Sequence, residues 1–189
     1  MSAYAITQRI AAASPRFKAR IAGVFYLLTF VTGALALVFV GRNLIAYGDI
    51  ANLAATACYI AVTLLFYDIF KPVDRRLSLM ALVFGLVGCA VGALGSLHLV
   101  RPDASLTFFG FYCLLIGFLI FRSKFLPRVL GVLMAIGGLG WLTFVAPTFA
   151  HSLAPYNMAP GVLGEGALTL WLLVMGVNAA RWQEQAHAA

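Results

Sequence analysis

Residues 77–97 read LSLMALVFGLVGCAVGALGSL, a run without Asp, Glu, Lys or Arg. At about 1.5 Å of helical rise per residue, such a run spans a hydrocarbon core of roughly 30 Å. Outward along the chain the pattern repeats. Residues 21–40, 50–67, 104–121 and 129–150 are also free of formal charge, and 160–180 carries only Glu165. The expected fold class is all-α, a polytopic membrane protein built as a six-transmembrane-helix bundle. The spans fall at about 20–41, 50–70, 77–98, 104–121, 128–149 and 160–181, within a membrane domain at 15–182. A cytoplasmic arm at 1–14 precedes that domain and a cytoplasmic tail at 183–189 follows it.

Composition excludes the soluble alternatives. Hydrophobic residues make up 63% of the chain and charged residues 10%, against roughly 25% charged in ordinary soluble domains. The polar residues sit in blocks instead of recurring with helical period, so an amphipathic soluble bundle is excluded by pattern too. Basic residues then predict orientation. Arg9, Arg16, Lys18, Arg20, Lys71, Arg75, Arg76, Arg122, Lys124, Arg128 and Arg181 fall on one side, and only Arg42 and Arg101 on the other. Basic short loops stay cytoplasmic, which puts both termini inside. The net charge of +7 is thus mainly a topology signal, aided by contact with an anionic lipid bilayer. Spread over four segments, it does not read as nucleic-acid binding.

The first span is too long for a signal-peptide core and is expected to be retained. Cys58, Cys89 and Cys113 lie in three different spans and read as small buried hydrophobes. Local punctuation supports the boundaries. Ser14-Pro15 is an N-cap followed by the first helical position, Pro72 ends the second helix, and Asp74 caps the third. Pro127 and Pro160 open the fifth and sixth helices, and Pro147 kinks or ends the fifth. Residues 1–13 read as a short interfacial helix.

Small residues indicate packing. Gly88, Gly92 and Ser96 recur at intervals of four with Gly85 a turn earlier, a stripe that lets another helix approach closely. Its partner is a helix of the same chain or of a second copy in a homo-oligomer. Gly131, Ala135, Gly138 and Gly140 mark the fifth helix in the same way. The openings Arg20-Ile-Ala-Gly-Val and Arg128-Val-Leu-Gly-Val echo each other on two helices that run in the same direction, so they are no inverted repeat.

Polar residues inside the spans point to the candidate site. A carboxylate in a membrane must face the bundle interior and find partners. Glu165 is that group, with His98, Arg101 and His151 expected at its level and Thr169 one turn below. Asn52, Thr56, Tyr59 and Thr63 share one face of the second helix. Either these residues line an outward-opening cavity with Glu165, or they join helices by interhelical hydrogen bonds. Asp68 and Lys71 read as an interfacial salt bridge at the inner end. Two histidines and Glu165 could form a zinc set, but the spacing of a metal motif is lacking, so no metal and no cofactor is assigned. Phosphate-binding, dinucleotide, nucleophile-elbow and Cys-x-x-Cys signatures are also lacking.

Several strings resemble a known family. Arg20-Ile-Ala-Gly-Val-Phe-Tyr-Leu, Phe70-Lys-Pro-Val-Asp-Arg-Arg-Leu-Ser-Leu, Phe121-Arg-Ser-Lys-Phe-Leu-Pro-Arg-Val-Leu-Gly-Val-Leu and the last helix from Gly164-Glu to Asn178 are similar to domain of unknown function 4386. That resemblance covers about residues 18–180. It implies a six-helix protein of the bacterial cytoplasmic (inner) membrane and supplies no activity. The first outer loop, Gly41 to Asp49, is shorter than in relatives of this kind. Three function classes follow from residues and resemblance together. The first is a binding protein or membrane-embedded enzyme for a small hydrophobic or amphipathic ligand such as an isoprenoid, quinone or lipid. The second is a non-catalytic component of a membrane complex, and a small transporter is the third.

Overall fold

The computed structural model describes residues 14–188; the interfacial helix read at 1–13 lies outside them. The described residues form helices α1 (Pro15–Gly41), α2 (Ile45–Phe70), α3 (Arg75–Ser96), α4 (Ala104–Arg122), α5 (Arg128–Leu142), α6 (Pro147–Leu153), α7 (Ala159–Val174) and α8 (Ala179–His187), with a 3₁₀ turn at Thr143–Val145. Each long helix packs on its neighbours in the chain, and α7 lies between α5 and α1. The result is a ring of six helices, α1–α5 and α7, closed by the last on the first.

This ring is apolar on its outside as well as its inside. Val24, Leu28, Val31, Leu35 and Val38 of α1 are exposed, as are Leu163, Leu170 and Val174 of α7. An apolar exterior of that extent is stable against lipid and not against water. Five helices are long and apolar enough to cross a membrane, with mean hydropathy between 1.7 and 2.3, and the bent pair α7–α8 makes up to six.

The punctuation residues act as their chemistry dictates. Ser14 accepts from Phe17 N at 3.3 Å, and Asp74 accepts from Arg76 N and Leu77 N at 3.0 Å each. α2 ends at Phe70, ahead of Pro72. Helices α1 and α2 are joined by residues 42–44 alone, where Asn43 takes a left-handed φ of 58°, a conformation Asn tolerates. The outer loop expected between Gly41 and Asp49 is therefore mostly helix. The fifth span stops at Leu142 and the 3₁₀ turn instead of reaching 149, and Pro147 begins the short α6.

The largest departure concerns the last span. A continuous helix over 160–181 was expected, but α7 stops at Val174 and α8 leaves at 102° to it. Gly176 adopts a φ of 68°, the left-handed stop that glycine makes easily. Asn178 then caps α8, its side chain accepting from Arg181 N at 3.1 Å. The expected tail at 183–189 is thereby largely helical. It lies across one end of the ring, where Trp182 Nε1 donates to Ile69 O at 2.8 Å and Lys124 N donates to Gln185 Oε1 at 3.0 Å.

Candidate functional site

Glu165 stands inside the ring, on α7, with 8% of its surface exposed. Tyr26 of α1 donates to Oε2 at 2.5 Å. Tyr59 of α2 donates to the same oxygen at 3.3 Å, and Trp141 of α5 donates from Nε1 to Oε1 at 2.8 Å. Three hydrogen bonds from three other helices therefore converge on one carboxyl group, all from neutral donors. Among the described residues no Lys or Arg pairs with it.

Glycine makes this convergence possible. Gly161 lies one turn before Glu165 on α7, and a Cβ there would run into the Trp141 indole. A Cβ on Gly164 would meet Leu133 O at 2.5 Å, and one on Gly137 would meet Gly161 Cα at 3.0 Å. Helices α5 and α7 thus touch through their backbones, which brings the indole against Gly161 with its N–H within reach of the carboxyl. The two tyrosines meet edge to face, with ring centroids 5.5 Å apart, and their hydroxyls lie 3.4 Å from each other. Tyr112 of α4 stands against Tyr59 at 5.7 Å. Its buried hydroxyl has no hydrogen-bond partner among the described residues.

A cavity of about 420 Å³ opens on the other side of Tyr59, between α1, α2, α3 and α4. Thr29, Asn52, Thr56 and Ser105 give it a polar stripe, and Ala36, Leu37, Val40 and Phe109 an apolar one; Asp49 and His98 stand at its mouth. Tyr59 is the residue common to this cavity and the Glu165 cluster. Glu165 itself does not line the cavity. Of the four-residue face read on α2, Asn52, Thr56 and Tyr59 reach the cavity, whereas Thr63 packs on Gly85 of α3.

The expected partners of Glu165 are a correction. His98 pairs with Asp49 at 3.0 Å, while His151 and Arg101 both pair with Asp103, at 3.1 and 3.4 Å. All three are exposed, His98 and Arg101 between α3 and α4 and His151 on α6, whereas Glu165 is buried. The zinc set of His98, His151 and Glu165 is therefore not assembled. Thr169 lies where expected, but its hydroxyl donates to Glu165 O of its own backbone at 2.8 Å. Thr56 and Thr63 do the same to Asn52 O and Tyr59 O, at 2.9 Å each. Such i−4 bonds stay within one helix, so these three threonines do not join helices through them, although Thr29 of α1 also reaches Ala55 O of α2 at 3.5 Å. Tyr59 does join helices, through its bond to Glu165.

The α3 stripe faces inward. Cβ atoms on Gly85, Gly88 and Gly92 would meet Thr63 at 2.6 Å, Phe109 at 2.9 Å and Ser105 at 3.6 Å respectively. Ser96 is buried as well. This stripe is occupied by α2 and α4 of the same chain. At the opposite end of the ring Asp68 accepts from Lys71 and also from Lys18 of α1, which the sequence reading did not pair with it. Arg122 turns to Asp74 at 3.6 Å.

Fold and site together define a helical membrane-type bundle with an aromatic-bound buried carboxyl group. Residues 103–176, the α4–α7 part of the ring with Glu165 and Trp141 included, match the family described as Domain of unknown function (DUF4386). The chain is also similar to an uncharacterized protein of Archaeoglobus fulgidus, at 27% identity over 62% of this chain and 76% of that protein. No solved structure matches.

Proposed function

We propose that this protein is a membrane-embedded binding protein holding one small amphipathic molecule, lipid- or quinone-like, in the cavity between α1 and α4. The observation that carries the reading is Tyr59, which closes a cavity of about 420 Å³ and is anchored behind to Glu165 at 3.3 Å. A volume of that order lies within the usual range of small-molecule sites, which combine apolar walls with a few fixed polar groups. Thr29, Asn52, Thr56 and Ser105 would meet the polar part of the ligand, and Leu37, Val40 and Phe109 its apolar part. No reaction is assigned.

In this reading six helices cross a bacterial cytoplasmic membrane. The end bearing Lys18, Lys71, Arg75 and Arg76 faces the cytoplasm, in keeping with the positive-inside rule. The cavity mouth at Asp49 and His98 then faces outward. The test is photolabelling of the protein, in nanodiscs, with a diazirine-bearing ten-carbon alcohol, followed by mapping of the labelled peptides. Labels on the cavity segments 29–40 and 105–109 that disappear in Thr56→Trp are expected. Labels confined to the lipid-facing side chains of α1, unchanged by Thr56→Trp, would refute the reading.

A further inference from the structure

A second cavity, of about 410 Å³, lies at the Lys18–Asp68 end, between the α2–α3 turn and α8. Its walls are Tyr67, Lys71, Pro72, Arg75, Trp182 and Ala186. They hold two cationic side chains, two aromatic rings and no carboxylate. Asp68, three residues before Lys71, accepts from Lys71 and from Lys18, and Glu184 of α8 does not line the cavity. Arg75 is exposed and forms no ion pair among the described residues. Asp74 does not offset it, because Asp74 caps α3 and meets Arg122.

The aromatic wall is fixed in place. Trp182 is held by its bond to Ile69 O at 2.8 Å, and α8 is turned 102° from α7. An amphipathic helix so turned at the end of an apolar ring lies along the membrane surface, with its tryptophan at headgroup level. Cations beside interfacial aromatics at that depth are the chemistry of an anionic-headgroup site.

We propose that this cavity binds the phosphate group of an anionic lipid, with Arg75 and Lys71 as its cationic contacts and Tyr67 and Trp182 flanking the glycerol and upper acyl chain. The test is native mass spectrometry of the detergent-purified full chain, titrated with phosphatidylglycerol, with phosphatidylcholine of the same acyl chains, and with inorganic phosphate. Phosphatidylglycerol should be retained at least about fivefold better than phosphatidylcholine, and Arg75→Gln should remove about fivefold of that retention, the change expected for one basic residue at an anionic surface. Arg42→Gln, at the far end of the ring, should leave it unchanged. Equal retention of the two lipids overturns the proposal, as does loss of equal size in Arg42→Gln or none in Arg75→Gln. Displacement of phosphatidylglycerol by inorganic phosphate alone at about millimolar concentration would make the ligand a free anion and overturn the lipid assignment.

Discussion

Tyr59 donates its hydroxyl to Glu165 Oε2 at 3.3 Å while its ring faces the cavity between α1 and α4. A carboxyl group buried in the bundle and an accessible cleft are therefore one side chain apart. Tyr26, which donates to the same oxygen at 2.5 Å, has no surface exposed and serves only the interior. This difference between two tyrosines on one acceptor divides the predictions.

Removing the Tyr26 hydroxyl should be separable from removing that of Tyr112. Tyr26→Phe takes a donor from a buried carboxyl group and should cost about 1–3 kcal/mol, read as a fall in Tm of the detergent-solubilised protein. Tyr112→Phe removes a hydroxyl that has no hydrogen-bond partner among the described residues, so stability should hold or rise slightly. Equal losses in the two variants would contradict the assigned network.

Gly161 should tolerate nothing larger, because its missing Cβ is the space occupied by the Trp141 indole. Gly161→Ala is expected to shift that ring, break its 2.8 Å bond to Glu165 and change Trp fluorescence as well as Tm. Gly166 on the same helix has nothing within 4 Å of its Cβ position. Gly166→Ala should then be neutral or stabilising by up to about 1 kcal/mol, the helix-propensity difference. A destabilisation by Gly166→Ala as large as that by Gly161→Ala would show that backbone propensity, and not the indole, governs both.

His98→Ala tests the corrected partnership. The His98–Asp49 pair is solvent-exposed at the mouth of the cavity, and such pairs contribute roughly 0–1 kcal/mol. The Tm should move little, and the fluorescence of Trp141 not at all. A collapse comparable to Tyr26→Phe would restore His98 to the Glu165 cluster.

The spans, the caps at Ser14 and Asp74, and the importance of Glu165 were legible because each depends on local composition or on i-to-i+3 chemistry. Glu165 had to have partners, since an isolated carboxyl group inside a membrane costs several kcal/mol. Which partners could not be read, because sequence gives height along a helix and not rotation about it. His98 and His151 were read as neighbours of Glu165, and they bond Asp49 and Asp103 instead. Tyr26 and Trp141 were not singled out, although a buried Trp N–H needs an acceptor. Gly161, one turn before Glu165, was the available signal that an indole lies against that face. The break in the last span was written in Gly176 and Asn178, a stop followed by a cap. Hydropathy, nearly continuous through Ala180, masked it.

The central claim is that the cavity beside Tyr59 holds a small amphipathic molecule, and its most direct test is the quantity of bound material in the purified protein. Organic extraction and mass spectrometry of the wild type should yield about one molecule per chain of a single small amphiphile, enriched over bulk membrane lipid. Thr56→Trp, which fills the cavity wall away from Glu165, should lose that molecule while keeping its Tm. A wild type that carries only bulk lipids in membrane proportions, or a Thr56→Trp protein that retains the same molecule in full, would contradict the account.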